Sequence, residues 1–146
     1  MRPFELGRLG LGRAVAGLIK ASVKSSGIEF DTDVDDLDGV FGVESETHFY
    51  RIIQESVANI LKHSKAKHAQ VRIKRDSLQV RVWIRDDGCG FSTSDGQGFC
   101  GMGLASIAER VRILGGRLRL DTAPACGTTL EIVVPVQNPV RDAEKN

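Results

Sequence analysis

The sequence is poor in cysteine, and its cysteines follow none of the spacings that build disulfide frameworks or metal sites. Cys89, Cys100 and Cys126 are the only three in 146 residues. Their number is odd, no CxxC pair occurs, and no histidine stands at zinc-ligand spacing. A small disulfide-stapled secreted domain and a structural zinc site are therefore excluded. Free thiols are typical of a reducing compartment, so we expect a cytoplasmic location.

The sequence also lacks an excess of charge of one sign and has no long apolar runs. The 20 Lys and Arg residues are balanced by 19 Asp and Glu residues, for a formal net charge of +1, which argues against a nucleic-acid partner. No stretch reaches the roughly 20 apolar residues of a membrane helix, and the N-terminus lacks the apolar core of a signal peptide. We expect no membrane contact by this chain, although a longer parent protein could be anchored elsewhere.

Two common phosphate-binding motifs are missing. No GxxxxGK[ST] motif occurs, so the chain is not a P-loop protein. Gly10-Leu11-Gly12 lacks both a preceding strand and the third glycine of a dinucleotide fingerprint. The length and the 41% hydrophobic content fit one domain over residues 1–146.

Five segments alternate apolar and polar residues with the period of a half-buried strand. In Leu78–Arg85 the even positions are apolar and the odd positions face the other way. The same alternation occurs over residues 28–34, 69–74, 117–120 and 130–134. These segments predict a sheet that is covered on one face only.

Three further segments carry apolar residues at the spacing of one helical face, over residues 9–24, 45–63 and 104–114. Gly115-Gly116 ends the last of them. The order of elements predicts an α/β fold, a two-layer sandwich with a mixed sheet and helices on one face. The polar, glycine-rich run 92–100 has no periodicity; we interpret it as a mobile lid loop over a ligand rather than an ordinary connection.

The predicted strand at 78–85 runs directly into Asp86-Asp87-Gly88-Cys89-Gly90. Strand interiors disfavour Asp and Gly. Their cluster here indicates that the backbone approaches a ligand closely while a carboxylate points at it. A strand that ends in a carboxylate and glycines suggests a nucleotide pocket.

Four motifs in this order and spacing resemble the four boxes of the GHKL ATPases, whose domain has the Bergerat ATP-binding fold. They are Glu55-Ser56-Val57-Ala58-Asn59 with Lys62-His63, Asp86-Asp87-Gly88-Cys89-Gly90, Gly101-Met102-Gly103-Leu104, and Gly127-Thr128. More narrowly, Tyr50–Glu55, Asn59–His63 and Gly103–Val111 resemble the catalytic domain of sensor histidine kinases paired with NarL/LuxR-type response regulators. The resemblance spans nearly the whole chain.

For the base, the resemblance implies that Asp86 accepts a hydrogen bond from the adenine amino group. Gly88 and Gly90 would let the backbone pass against the base, where a side chain would collide. Thr128 would help to hold the same adenine, often through water. We expect Asp87 to be a turn or surface residue, because its side chain points away from that of Asp86.

For the phosphates, the resemblance implies Asn59 as a Mg²⁺ ligand, Glu55 as a catalytic acid one helical turn earlier on the same face, and Lys62 as a positive charge on the outer phosphates. Without the resemblance, a solvated helix face would be the usual interpretation of these three residues, although an Asn inside a helix is mildly unfavourable and favours a role. Gly101 and Gly103 would bind phosphate through backbone N–H groups at a helix start. Leu104 and His63 complete the implied ATP site.

None of the three histidines fits the phosphoacceptor of that family, which starts a long helix and is followed by an acidic residue. His48, His63 and His68 are followed by Phe, Ser and Ala. The resemblance thus implies a catalytic domain that transfers the γ-phosphoryl group to a histidine on separate, upstream dimerisation helices. We expect this fragment to be monomeric, the parent protein to be dimeric, and the fragment alone not to autophosphorylate.

Two other functions stay open at the level of sequence. One is a stand-alone GHKL ATPase or an anti-sigma-type serine kinase, which would release free phosphate or modify a serine. The other is a non-catalytic module that binds ATP and reports it through the order of the lid.

Overall fold

The structure is a computed structural model that describes residues 7, 9–89 and 104–137, without the side chains of residues 63 and 64. The elements in chain order are helix α1 (Leu11–Ser26), strand β1 (Glu29–Val34), helix α2 (Val43–Asn59), a π-helical turn (Ile60–Ser64), strands β2 (His68–Arg75) and β3 (Gln79–Asp86), helix α3 (Leu104–Ile113), and strands β4 (Arg117–Thr122) and β5 (Thr128–Pro135). The expected lid at 92–100 lies outside the described residues.

The five strands form one mixed sheet in the order β1-β2-β3-β5-β4. β1 pairs in parallel with β2, whereas the β2–β3, β3–β5 and β5–β4 pairs are antiparallel. The parallel pair is possible because α2 carries the chain back between β1 and β2. The mixed sheet that the sequence predicts is confirmed.

The core lies between the sheet and the helices. The three inner strands bury alternate residues on one face, and these join the buried stripes of all three helices in a single apolar cluster. Phe49, Ile53, Ile107 and Ile132 are fully enclosed in it. The predicted two-layer α/β arrangement is therefore confirmed. Among the residues described, every helix falls short of the length and apolar character that a bilayer span requires.

Helix α3 ends just before Gly115-Gly116, as the sequence predicts. Gly115 has a φ of 74°, and the N–H groups of Gly115 and Gly116 donate to the carbonyls of Arg112 and Val111. This is a Schellman ending, in which a glycine takes the left-handed conformation. It turns the chain directly into β4.

Leu78 departs from the predicted strand. It is 69% exposed and lies in the turn before β3. The carboxylate of Asp76 accepts hydrogen bonds from the N–H groups of Leu78 and Gln79 at 2.7 and 2.9 Å. This turn takes Leu78 out of the buried face, so its predicted place in the core was wrong.

The edge strand β1 is less buried than its alternating pattern predicts. Phe30 and Val34 are only half-buried and Thr32 is exposed. The reason is position, because β1 lies at the edge of the sheet, where the helical layer covers it incompletely.

Candidate functional site

The C-terminal end of α2 lies at the same end of the sheet as the start of β5. At the opposite end, Gln137, just beyond β5, accepts a hydrogen bond from the N–H of Gly42 and donates one to the Ser45 hydroxyl. These contacts fix the beginning of α2 beside the far end of β5. The helix therefore runs back along the sheet, and Asn59 ends it toward the end of the sheet where β5 starts.

Helix α3 begins at this same end. Its last turn passes through Gly115-Gly116 into Arg117, which starts β4 at the far end of the sheet. Because α3 is antiparallel to β4, its first residue Leu104 points back toward the end where β4 finishes. Leu104 is buried there. The fold thus brings the described parts of the four motifs to one end of the sheet.

A single row of side chains crosses the sheet at this end, on the helix-facing side. Ala69, Asp86, Thr128 and Thr122 are direct cross-strand partners on β2, β3, β5 and β4. Directly paired residues on antiparallel strands have Cβ atoms about 4.5–5.5 Å apart. Ala69 has a small side chain and leaves space on one side of Asp86. Thr128, on the other side, gives the Asp86 carboxylate a polar neighbour.

The Asp86 side chain is buried and has few polar contacts. The residue is 8% exposed, and its carboxylate accepts a hydrogen bond from the N–H of Gly88 at 2.8 Å. Burial raises the pKa of Asp86, the Gly88 N–H group opposes this rise, and the nearby charge of Asp87 adds to it. An open cleft of about 420 Å³ borders Asp86 at this end of the sheet, but Gln70, Arg85 and Asp87 place most of its lining on the face away from the helices. A hydrogen-bond donor on a ligand would stabilise the charged form of this carboxylate.

Gly127 seats the start of β5 against the end of β3. It has a φ of +75°, and a Cβ atom there would lie 2.3 Å from the carbonyl oxygen of Asp86. No side chain fits at this distance, and the left-handed conformation also favours glycine. Gly127 therefore holds Thr128 close to Asp86.

The two threonines of the row share a hydrogen-bond network. The Thr122 hydroxyl donates to the carbonyl oxygen of Gly127 at 3.0 Å and lies 2.9 Å from the Thr128 hydroxyl. Both side chains are half-buried. Thr122 was not anticipated from the sequence, because its role depends on the register of β4 with β5. A threonine at each end of a five-residue loop is the only signal that could have indicated it.

The phosphate-side residues occupy the end of α2. Glu55 and Asn59 lie one helical turn apart and are half-buried, whereas Lys62 is exposed. Helix α2 changes to a π-helical turn at Ile60, where the sequence predicts a regular helix up to His63. π-Turns inside helices frequently mark functional sites. This turn places Asn59 at the point where the regular helix ends.

Several expected site residues cannot be placed. Gly90, Gly101 and Gly103 lie outside the described residues, and for His63 only the backbone is described. Gly88 is placed, and its N–H group binds the Asp86 carboxylate rather than lying free.

Asp87 belongs to a separate, exposed cluster. One carboxylate oxygen accepts the N–H groups of Lys67 and His68 at 2.9 and 3.0 Å, and the other lies 2.9 Å from Nδ1 of His68. The second ring nitrogen of His68 lies 3.0 Å from Glu29. These bonds, first of all the one from the His68 N–H group, lower the pKa of Asp87 to about 2. The bond to Asp87 raises the pKa of His68. Asp87 thus ties the start of β2 to the end of β3 and is the surface residue that the sequence predicts.

We predict that Asp87→Asn lowers the free energy of unfolding most strongly between about pH 4 and 6. The pKa of Asp87 falls from 3.8 to about 2 on folding, so its stabilising effect is present above pH 4 and lost as the pH drops toward 2. Folding raises the pKa of His68 above 6.5. The contribution of His68 to stability is therefore complete below pH 6.5 and is lost at higher pH. Urea unfolding of both proteins from pH 2 to 8 measures this; a pH-independent difference would contradict it.

A family model for the histidine kinase-, DNA gyrase B- and HSP90-like ATPases, HATPase_c, matches residues 44–138. The chain is 38% identical over 114 residues to an uncharacterized sensor-like histidine kinase of Chloroflexus aurantiacus, covering 73% of this chain and 18% of that protein. It is 33% identical over 137 residues to the histidine-protein kinase/phosphatase DegS of Brevibacillus brevis, covering 93% of this chain and 35% of the relative. The chain thus spans about a third or less of these curated relatives.

Solved structures share the fold. The blue-light activated histidine kinase of Erythrobacter litoralis EL346 superposes with a TM-score of 0.70 at 22% identity, over 92% of this chain and 42% of that one. The mycobacterial sensor histidine kinase MprB gives 0.64 at 22% identity, over 84% and 92%. The family model covers more than half of the chain, in the region that contains the row of Asp86 and Thr128. The chain therefore belongs to the HATPase_c family of histidine kinase-, DNA gyrase B- and HSP90-like ATPases.

Proposed function

We propose that residues 1–146 form the ATP-binding catalytic domain of a two-component sensor histidine kinase. The domain presents Mg·ATP so that the γ-phosphoryl group is transferred to a histidine on a separate dimerisation domain. The observation that carries the proposal is the buried carboxylate of Asp86, paired across the sheet with Thr128 on the face that the helices cover. Similarity to curated sensor histidine kinases supports the choice of kinase over the other ATPases of the family.

For the base, Asp86 accepts a hydrogen bond from the exocyclic amino group of adenine. A charge-assisted bond of this kind contributes about 1.5–3 kcal/mol. Guanine carries a carbonyl oxygen at the corresponding position, which would face the carboxylate without a proton between them. Asp86 therefore selects adenine. Gly88, with its N–H group on the carboxylate, keeps the carboxylate oriented toward the base.

For the phosphates, the oxygen donors at the end of α2 suit Mg²⁺, which takes hard oxygen ligands and retains several waters. Asn59 supplies an amide oxygen to the metal, and Glu55 lies one turn earlier on the same flank of the helix. Lys62, exposed in the π-turn, offers its ammonium group to the outer phosphates. Bound Mg²⁺ neutralises phosphate charge during transfer. The protein contributes positioning and electrostatic stabilisation rather than a covalent intermediate.

A catalytic domain of this kind requires a phosphoacceptor histidine and a response regulator, which other domains or proteins supply. A dimerisation domain supplies the phosphoacceptor histidine and makes the parent protein dimeric, while the isolated domain is monomeric. A response regulator of the NarL/LuxR type receives the phosphoryl group. Since ATP and such regulators are cytoplasmic, we place the domain in the cytoplasm.

Calorimetric titration of the chain with ATP and GTP, each with Mg²⁺ and with EDTA, tests the proposal. We expect ATP to bind at least about tenfold more tightly than GTP, the equivalent of about 1.4 kcal/mol. Removal of Mg²⁺ should weaken ATP binding in the wild-type chain. In Asn59→Ala this dependence on Mg²⁺ should be lost, because the proposed ligand is gone. Equal affinity for ATP and GTP would contradict the assignment of Asp86, and an unchanged Mg²⁺ dependence in Asn59→Ala would contradict that of Asn59.

A second assay separates the kinase from the other enzymes of the family. The chain is incubated with ATP and the purified dimerisation domain of a related sensor kinase, or with ATP alone. Acid-labile phosphohistidine on the helical domain is the expected product. Rapid release of free phosphate without any acceptor would indicate a hydrolase instead.

A further inference from the structure

The hydroxyl group of Thr122 has a fixed direction in this fold. A carbonyl oxygen carries no proton, so the 3.0 Å contact between Thr122 and Gly127 requires Thr122 to donate. A threonine hydroxyl has one proton. The contact of 2.9 Å between the two threonines is then made by the proton of Thr128, with Thr122 accepting.

This assignment determines what Thr128 can offer to a ligand. Its single proton points along the row toward Thr122, away from Asp86 on the other side. Only the lone pairs of the Thr128 hydroxyl remain for the space beside Asp86. The charged Asp86 carboxylate is also an acceptor only. Asp86 and Thr128, which are neighbours in the row, thus both require a hydrogen-bond donor from the ligand.

We propose that Thr122 is a positioning residue for adenine selection, since it orients the Thr128 hydroxyl so that only acceptor lone pairs face the nucleotide. This inference rests on the proposed function and extends it by one residue. The matching ligand group is an amino group, or a water that donates to Thr128. The carbonyl oxygen at position 6 of guanine or hypoxanthine would meet two acceptors and no donor.

The position of Thr122 explains why it can act in this way. It ends β4, directly paired with Thr128, and its bond to Gly127 reaches the glycine that lies against the backbone of Asp86. The same side chain therefore stabilises the conformation of the loop at Gly127 and directs the neighbouring proton. A valine in its place would keep nearly the same shape but would free the Thr128 proton to rotate toward the ligand.

The test compares Thr122→Val with Thr122→Ser, using ATP and inosine triphosphate as probes. Inosine triphosphate carries a carbonyl oxygen in place of the amino group of ATP, and its neighbouring N1 carries a proton. We expect Thr122→Val to bind ATP about two- to tenfold more weakly, as for the loss of one neutral hydrogen bond. We expect its preference for ATP over inosine triphosphate to fall at least about threefold. Thr122→Ser keeps the hydroxyl and should keep the wild-type preference.

The outcomes separate the role of Thr122 from a structural one. If Thr122→Val weakened both nucleotides equally, or if Thr122→Ser behaved like Thr122→Val, the inference would be wrong. Thermal unfolding establishes that each variant is folded; should Thr122→Val not fold, Thr122→Cys, with a weak donor of similar volume, replaces it and should show a reduced preference. Asp86→Asn is measured alongside. If that variant bound ATP as tightly as the wild type, the proposed function would fail, independently of Thr122.

Discussion

Replacing Asp86 by Asn is expected to weaken ATP binding at least about tenfold while leaving the domain folded. The carboxylate is the charged acceptor of the proposed adenine bond, and a bond to a charged group contributes about 1.5–3 kcal/mol, or roughly 10- to 150-fold in affinity. The amide keeps the shape but supplies a neutral acceptor. Calorimetric titration with Mg·ATP measures the change.

The same substitution should not lower stability at neutral pH. The pKa of Asp86 is raised in the folded protein, chiefly by burial. The folded state therefore binds more protons than the unfolded state just above pH 3.8, and stability falls as the pH rises through that window. Removing the charge removes this penalty, so Asp86→Asn should be at least as stable as the wild type at pH 7. A residue that weakens stability in exchange for binding is typical of functional sites.

Asp87→Asn is the matched control, because it makes the same chemical change one residue later. The Asp87 carboxylate faces Lys67 and His68 on the exposed side of the sheet. We expect it to lower stability and to leave ATP affinity within about twofold of the wild type. The assignment of adenine to Asp86 would not survive equal losses of affinity in the two variants.

Gly127→Ala is expected to destabilise the domain by about 3 kcal/mol or more and to abolish measurable ATP binding. Its Cβ atom would lie 2.3 Å from the carbonyl oxygen of Asp86, so either β3 or the loop before β5 must move. A left-handed non-glycine residue adds about 1 kcal/mol of strain. Because the displaced segments carry Asp86 and Thr128, the substitution damages the site as well as the fold. Urea unfolding and titration with ATP measure both effects.

Gly39→Ala isolates the effect of the backbone conformation. Gly39 has a φ of +77°, but nothing lies within 4 Å of the position that the alanine methyl group would take. It should therefore lose about 1 kcal/mol and keep its affinity for ATP. If Gly127→Ala were no more harmful than Gly39→Ala, close packing of Gly127 against Asp86 would not be important for the site.

The sequence alone was sufficient to predict the helices and strands and to identify the family. Strand and helix patterns depend on spacings of two to four residues, which the chain shows locally, and all five strands and three helices occur where those patterns lie. The four motifs identified the family for the same reason, because each is a short run of residues. Asp86, Asn59 and Thr128 were named as site residues on this basis.

Only the tertiary structure decided how those residues meet. The row of Ala69, Asp86, Thr128 and Thr122 exists because of the register of four strands, and register depends on turns and on pairing between distant segments. The turn at Asp76 that exposes Leu78, the π-turn after Asn59 and the ties of Asp87 to β2 arise in the same way. Local periodicity cannot encode such contacts, because their free energy comes from groups that are far apart in the chain.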